Sequence, residues 1–302
     1  MNIVMALFPL IVLISMGYGF KRKKFLQPEF WANSEKLNYF VLFPVLLFNN
    51  LAGVQLNLGA IFQLLQAFFA VVLGVVSILW LLKRVYAIPV ARFGVYVQSQ
   101  IRFNTYIGLA LMGTLYGTEG MQMFAMLIAV AIPVVNIFSV MAFSEGQRGR
   151  WYDTLFAIAK NPLILGCVVG VLFNLSGLHL FSGMQSLCNI LAATSLPLGL
   201  LSVGAALQLD QLSKGLSRLT VNTFARLLIM PCLAFFASGS LGLTELQSII
   251  LVTFFALPTA SASYILTRYF QGDSQLMAGV ISLQTLCFIG SFPLLMWLLY
   301  SF

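Results

Sequence analysis

A chain of 302 residues that is 60% hydrophobic and only 8% charged, with a mean hydropathy of +0.97, is excluded from the soluble classes, because a soluble domain carries about 25% charged residues. The net charge of +8 does not point to nucleic acid. The basic residues stand in short clusters between apolar runs, as at Lys21-Arg22-Lys23-Lys24 and Lys83-Arg84, which is the pattern of membrane loops. Cys167, Cys188, Cys232 and Cys287 are scattered through apolar stretches without a CxxC pair, so neither a disulfide framework nor a zinc site is indicated.

The first apolar run starts at Ile3 and its basic cluster follows it, so it reads as a retained span rather than a cleavable signal. Crossing a bilayer takes about 20 mostly apolar residues. Ten stretches qualify in chain order: 3–20, 37–54, 60–82, 93–116, 120–143, 160–178, 183–207, 216–238, 245–269 and 275–300. The longest connectors, 21–36 and 144–159, leave no room for a soluble domain. Fourteen Lys and Arg residues flank these spans, and all fall in loops 1–2, 3–4, 5–6, 7–8 and 9–10. The positive-inside rule makes those loops cytoplasmic and puts both termini outside. Trp31, Trp80, Trp151 and Trp297 lie near span ends, the place of interfacial anchors.

The two halves resemble one another. Residues 6–20 and 159–173 match at six of fifteen positions, and 43–57 and 196–210 at five, at one shared offset of 153. Leu-rich composition produces matched leucines by chance, but not matched Pro, Gly and Gln at a common offset. The expected organisation is a first repeat over 1–150 (helices 1–5) and a second over 151–302 (helices 6–10), together one membrane domain. With five helices each, the second copy enters the membrane upside down, and inverted repeats mark secondary transporters with a solute site near the midplane.

Such carriers bind solute where helices are interrupted, since broken ends expose backbone groups and helix dipoles. Small and polar residues concentrate mid-span in Arg102-Phe103-Asn104-Thr105-Tyr106-Ile107-Gly108 and in Ala256-Leu257-Pro258-Thr259-Ala260-Ser261-Ala262-Ser263. Asn104 lies thirteen residues before Gly117 and Pro258 fourteen before Gly272, so the two are nearly equivalent in the repeat. For any single Ser or Gly, close helix packing explains the residue as well.

Arg102-x-Asn104-Thr105-Tyr106-Ile107-Gly108-Leu109 followed by Tyr116-Gly117, then Asn161-Pro162, Leu196-Pro197-Leu198 with Gly204, and Ala256-Leu257-Pro258, resembles in that order the auxin efflux carrier family. No one motif is specific; the ordered set, running essentially end to end, is. The resemblance implies ten helices in two inverted five-helix repeats, with helices 4 and 9 broken and crossing. That arrangement is similar to the bile-acid symporter and sodium/proton antiporter architecture. Bacterial members of the family carry small carboxylates such as malate or malonate, and plant members export auxin. This chain departs from the plant pattern in its short connector at 144–159, in Ala110 after the helix-4 glycine, and in Ser263 where plant crossovers have a second proline. Auxin specificity therefore does not carry over.

The residues expected to line the solute site are Arg102, Asn104, Thr105, Gly108, Pro258, Ser261, Ser263 and Arg226, joined by Asn49 and Ser202 from helices 2 and 7. Arg102 and Arg226 are the two basic residues deep within spans. A guanidinium there grips a carboxylate bidentately or snorkels to the headgroups. All eight acidic residues sit at loops or span ends, so a carboxylate-based sodium or proton site is not expected. His179 stands alone in an outside loop. No catalytic or metal-ligating residue is singled out, no cofactor is expected, and the chain does not read as an enzyme. No GxxxxGK[ST] motif indicates an ATP-driven pump.

These features read as a secondary carrier for a small organic anion such as a carboxylate, multi-pass in the cell membrane, the inner membrane of a bacterium. Its partners are the small-molecule substrate and the lipid bilayer, not nucleic acid, with a homodimer left open. The competing readings are a passive channel-like facilitator and a carrier of a neutral or amphoteric metabolite.

Overall fold

The computed structural model describes residues 3–53, 58–143, 160–213 and 215–300, and every regular element among them is helical. The helices are α1 (Ile3–Arg22), α2 (Pro28–Leu37), α3 (Phe43–Ala52), α4 (Leu58–Tyr86), α5 (Val90–Ile101), α6 (Thr105–Phe143), α7 (Pro162–Leu175), α8 (Ser182–Ala206), α9 (Leu216–Phe224), α10 (Met230–Ser240), α11 (Glu245–Ala256), α12 (Ala262–Tyr269) and α13 (Ser274–Tyr300). Single wide π turns, Asn38–Leu42 and Ala225–Ile229, join α2 to α3 and α9 to α10. Inside α6, Gly117 breaks the helical path at φ 58°, ψ −145°, a left-handed φ that glycine adopts without steric cost.

Among the described residues six helical stretches are long and apolar enough to cross a membrane: Ile3–Arg22, Gly59–Tyr86, Val90–Phe143, Ser182–Ala206, Leu216–Ser240 and Ser274–Tyr300. The difference from the ten expected spans has a physical reason. Spans 4 and 5 run together through the bend at Gly117, while spans 2, 6 and 9 are carried by shorter pieces. Pro162–Leu175 has 14 residues, about 21 Å at helical rise, against a hydrocarbon core of about 30 Å.

The connector read at 21–36 is itself largely helix. α2 starts with Pro28 in its first turn, where the missing N–H costs nothing, and buries Trp31 and Ser34 on one face. Trp31 is thus a packed residue and not an interfacial anchor. Trp80 packs edge-on against Phe93 at 4.8 Å, Trp297 is exposed, and Trp151 lies outside the described residues.

The chain divides into two compact units, each taking helices from both halves of the sequence. Unit one holds α1, α2, α3, the Leu109–Pro133 part of α6, α7 and α8. Its helices approach backbone to backbone: a methyl at Gly17 would run into the Leu201 carbonyl, and one at Gly204 into that of Ile14. Gly166 meets Pro44 in the same way. Small residues permit such contacts where no hydrophobic drive acts between helices in lipid. At one end of this unit Lys21 Nζ donates to the Ala205 carbonyl at 2.6 Å; at the other, Asn174 Nδ2 donates to Ala52 O at 3.0 Å.

Unit two holds α4, α5, the two ends of α6, and α9 through α13. Its interior is aromatic, with Phe254 against Phe68 at 5.3 Å and against Phe103 at 4.1 Å. Asp273 caps α13 through Leu276 N–H at 3.0 Å and pairs with Arg92 at 3.5 Å.

Candidate functional site

Unit two contains two interrupted helices, and local sequence explains each interruption. α5 stops because Arg102 turns extended (φ −80°, ψ 144°). α6 restarts at Thr105 with Asn104 as its cap. Asn104 Oδ1 accepts from Ile107 N–H at 3.2 Å, and its carbonyl accepts from Gly108 N–H at 3.1 Å. Asn is favoured there because its side chain satisfies one of the orphan donors of a helix start. α11 stops because Leu257 is held extended (φ −61°, ψ 144°), as the residue before a proline generally is. α12 restarts at Ala262, and no side chain caps it. The breaks meet where Asn104 N–H donates to the Pro258 carbonyl at 2.8 Å.

Two devices hold this meeting point. The first is Arg226, 0% exposed and seated in the π turn between α9 and α10. Its Nε donates to Leu257 O at 2.8 Å, its Nη2 to Phe254 O at 3.2 Å, and its Nη1 to Gln100 O. One guanidinium thus bonds the C-terminal carbonyls of both α5 and α11, where the helix dipoles are negative. The second is a closed ring of buried polar groups. Thr259 N–H donates to Gln284 Oε1 at 2.8 Å, Gln284 Nε2 to Asn222 Oδ1 at 3.0 Å, and Asn222 Nδ2 to Ser99 Oγ at 2.7 Å. Thr259 Oγ1 closes the ring 3.0 Å from Ser99 O. A satisfied buried network fixes one geometry, since any unpaired member would be costly in a dry interior.

Eight of the expected site residues lie in this unit. Thr105 and Gly108 form the first turn of α6. Pro258 is buried, Ser261 is half-buried at the start of α12, and Ser263 is fully buried. Arg102 is half-buried and its Nη1 donates to Asn136 Oδ1 at 2.8 Å, an arrangement that neither sequence reading of Arg102 foresaw. Arg226 faces backbone carbonyls on three of its bonds. Several groups beside the breaks have capacity left, Gln98 Oε1, Gln100 Oε1 and Thr253 Oγ1 near the ends of α5 and α11 among them. Asn104 Nδ2 makes no hydrogen bond among the described residues, although Asn104 is 3% exposed. Ser263 Oγ is buried without a partner.

Asn49 and Ser202 belong to unit one. Asn49 Nδ2 donates to Asn189 Oδ1 at 2.9 Å, and Gln185 Nε2 donates to Asn49 Oδ1 at 2.9 Å; the hydroxyl of Ser202 has no partner among the described residues. Sequence reasoning passed over Ser99, Asn222 and Gln284. A signal existed: Asn222 stands one helical turn before Arg226, and Gln284 is a carboxamide in the middle of an apolar span.

Long apolar helices with two interrupted helices joined at their breaks are features that secondary carriers share. Residues 152–296, just under half of the chain, match the family model described as membrane transport protein. The match bears out the auxin efflux carrier resemblance. No curated protein matches the chain.

Proposed function

We propose that the chain is a secondary carrier that moves a small organic anion, a carboxylate, across the cytoplasmic membrane by alternating access. One observation carries this reading: the two helix breaks meet at Asn104 and Pro258, with unused donors beside the starts of α6 and α12, at Asn104 Nδ2 and Ser263 Oγ. Arg226 neutralises the C-terminal ends of α5 and α11, whereas the starts of α6 and α12 point positive dipole ends at the break. Such ends attract anions. The Asn104 amide N–H and the Ser263 hydroxyl supply donors for a carboxylate oxygen, with Thr105, Gly108 and Ser261 around them and Arg102 adding positive charge.

The reading includes ten spans arranged as two inverted repeats over 1–150 and 151–302, in the inner membrane of a bacterium with both termini outside. Contacts within each unit support the alternation of loops. Lys21 reaches Ala205, and Arg92 reaches Asp273, each pair at ends that the charge count assigns to the cytoplasm. Transport proceeds without obligatory sodium, because a hard cation prefers oxygen-rich, charged ligands and the acidic residues all lie at loops or span ends.

Uptake of labelled dicarboxylates, monocarboxylates and neutral analogues into proteoliposomes tests the proposal. Saturable counterflow of an anion is expected, unchanged when potassium replaces sodium. Non-saturable flux would establish the channel-like facilitator instead, and preference for a neutral or zwitterionic solute would replace the anion reading.

A further inference from the structure

A hollow of about 510 Å³ opens on unit two between α4, α5 and the α9–α10 helix, a volume within the range of small-molecule sites. Its walls are apolar: Val75, Ile78, Leu82, Val221, Ile229 and Leu233. Ile78, Val221 and Ile229 are each about half exposed or more (54%, 68% and 46%), so the hollow lies on the outer surface of a transmembrane region, where the surrounding solvent is hydrocarbon. Tyr86, Ile88 and Arg218 close one end. Arg218 is exposed, and its guanidinium has no partner among the described residues.

We propose that this hollow seats one anionic phospholipid of the cytoplasmic leaflet, with an acyl chain along the apolar walls and the phosphate on the Arg218 guanidinium. Three physical points converge on that occupant. A void of this size lined by aliphatic carbon forfeits dispersion contacts if empty and offers water few partners, so in a bilayer a lipid chain fills it. The depth fits: Tyr86 and Val75 are eleven residues apart on α4, about 16 Å at helical rise, or roughly half of a hydrocarbon core about 30 Å thick. The charge fits as well, with a single guanidinium at the end that the loop charges assign to the cytoplasm, the leaflet rich in anionic lipid. Guanidinium and phosphate pair through two parallel hydrogen bonds. The site is independent of the solute reading and requires only that unit two sits in a bilayer.

The test uses the full chain purified in detergent, exchanged into mixed micelles holding equal amounts of phosphatidylglycerol and phosphatidylcholine, and read by native mass spectrometry. One retained phosphatidylglycerol per chain is expected, preferred about fivefold over phosphatidylcholine, which is what roughly 1 kcal/mol for one basic residue near the surface gives. Arg218→Gln should abolish the preference while a lipid is still retained. Ile78→Trp, which fills the hollow from a lipid-exposed position, should remove retention of both lipids; Leu82→Trp serves if the first variant does not fold. Equal retention of the two lipids by the unaltered chain, or retention unchanged by a folded tryptophan variant, overturns the proposal. Loss of the bound lipid on adding inorganic phosphate at equal concentration would assign the guanidinium to a free anion and overturn it equally.

Discussion

The two helix breaks of unit two differ in how their ends are satisfied. The break at 102–104 closes on itself: Asn104 caps α6 through Oδ1, and Arg102 is tied to Asn136. The break at 257–261 is imposed by Pro258 and leaves α12 without a side-chain cap and Ser263 Oγ without a partner. The first break is therefore stabilised locally, while the second depends on what surrounds it, namely Arg226 on Leu257 and Gln284 on Thr259. At the start of α12 the Ser263 and Tyr264 N–H groups turn back onto Ala260 O and Ser261 O, and the unused capacity is that of the Ser263 hydroxyl. On the proposed function, this difference separates residues that hold the breaks from residues that face a solute, and substitution can test the division.

The largest effect is expected at Arg226, which serves both breaks. Arg226→Leu leaves three carbonyls unpaired in a dry interior, a loss of about 3 kcal/mol or more at roughly 1 kcal/mol each. The thermal unfolding midpoint of the purified protein should fall steeply, with Arg226→Lys intermediate because an ammonium lacks the planar fork. An unchanged midpoint for the leucine variant would mean that the clasp is not what holds the breaks.

Next come Ser263 and Asn104, which the comparison assigns opposite balances. Ser263→Ala removes no hydrogen bond of the fold, so the midpoint should hold or rise slightly. Affinity for an anionic solute should drop about 10- to 100-fold, the worth of a hydrogen bond to a charged group. Asn104→Ala should abolish transport and also cost about 1 kcal/mol of stability, since it deletes a helix cap. Equal losses of stability in the two variants would erase the distinction between the breaks.

A smaller effect is expected for Arg102→Lys. If the guanidinium contributes to anion recognition, uptake of a carboxylate should weaken more than uptake of its neutral analogue, by several-fold, because lysine retains the charge but not the fork. Parallel changes for both solutes would confine Arg102 to holding Asn136.

The two helix breaks were legible in outline. The run of small and polar residues around Asn104 and the Leu257-Pro258 pair carry their own breaking signals in single residues, and the structure interrupts the helices there. What holds the two breaks together was not legible. Arg226 is 124 residues from Arg102 in sequence, and the ring of Ser99, Asn222, Thr259 and Gln284 assembles from four separate stretches, so neither has a local pattern. Arg226 looked available for a solute because its carbonyl partners are backbone atoms, which a sequence does not display. α2 was missed for a different reason. Its polar face and two glutamates suppress the hydropathy signal, although Pro28 and the buried Trp31 mark a helix start and a packed face.

The smallest expected effect lies outside the spans, at Glu35 on α2. Burial raises its carboxyl above the ordinary 4.5. A folded state that holds the proton more tightly than the unfolded chain is most favoured at low pH, and the contribution is lost as pH rises through the folded value. Glu35→Gln should thus leave stability at pH 4 nearly unchanged and raise the unfolding midpoint slightly at pH 7. A midpoint that falls at pH 7 would show the carboxylate to be stabilising in its charged form.

The glycine contacts between α1 and α8 have a consequence for biosynthesis. α1 ends at Arg22, and its partner begins at Ser182. At about 5–20 residues per second, α1 waits on the order of 10–30 s in the bilayer before the helix that fits its Gly17 notch is made. During that interval the notch faces lipid tails or other early spans. Unit one is therefore completed late, by a docking step between helices already inserted. A ribosome stalled before residue 182 should leave α1 extractable and open to crosslinking at Gly17, while one released after Ala206 should leave it protected.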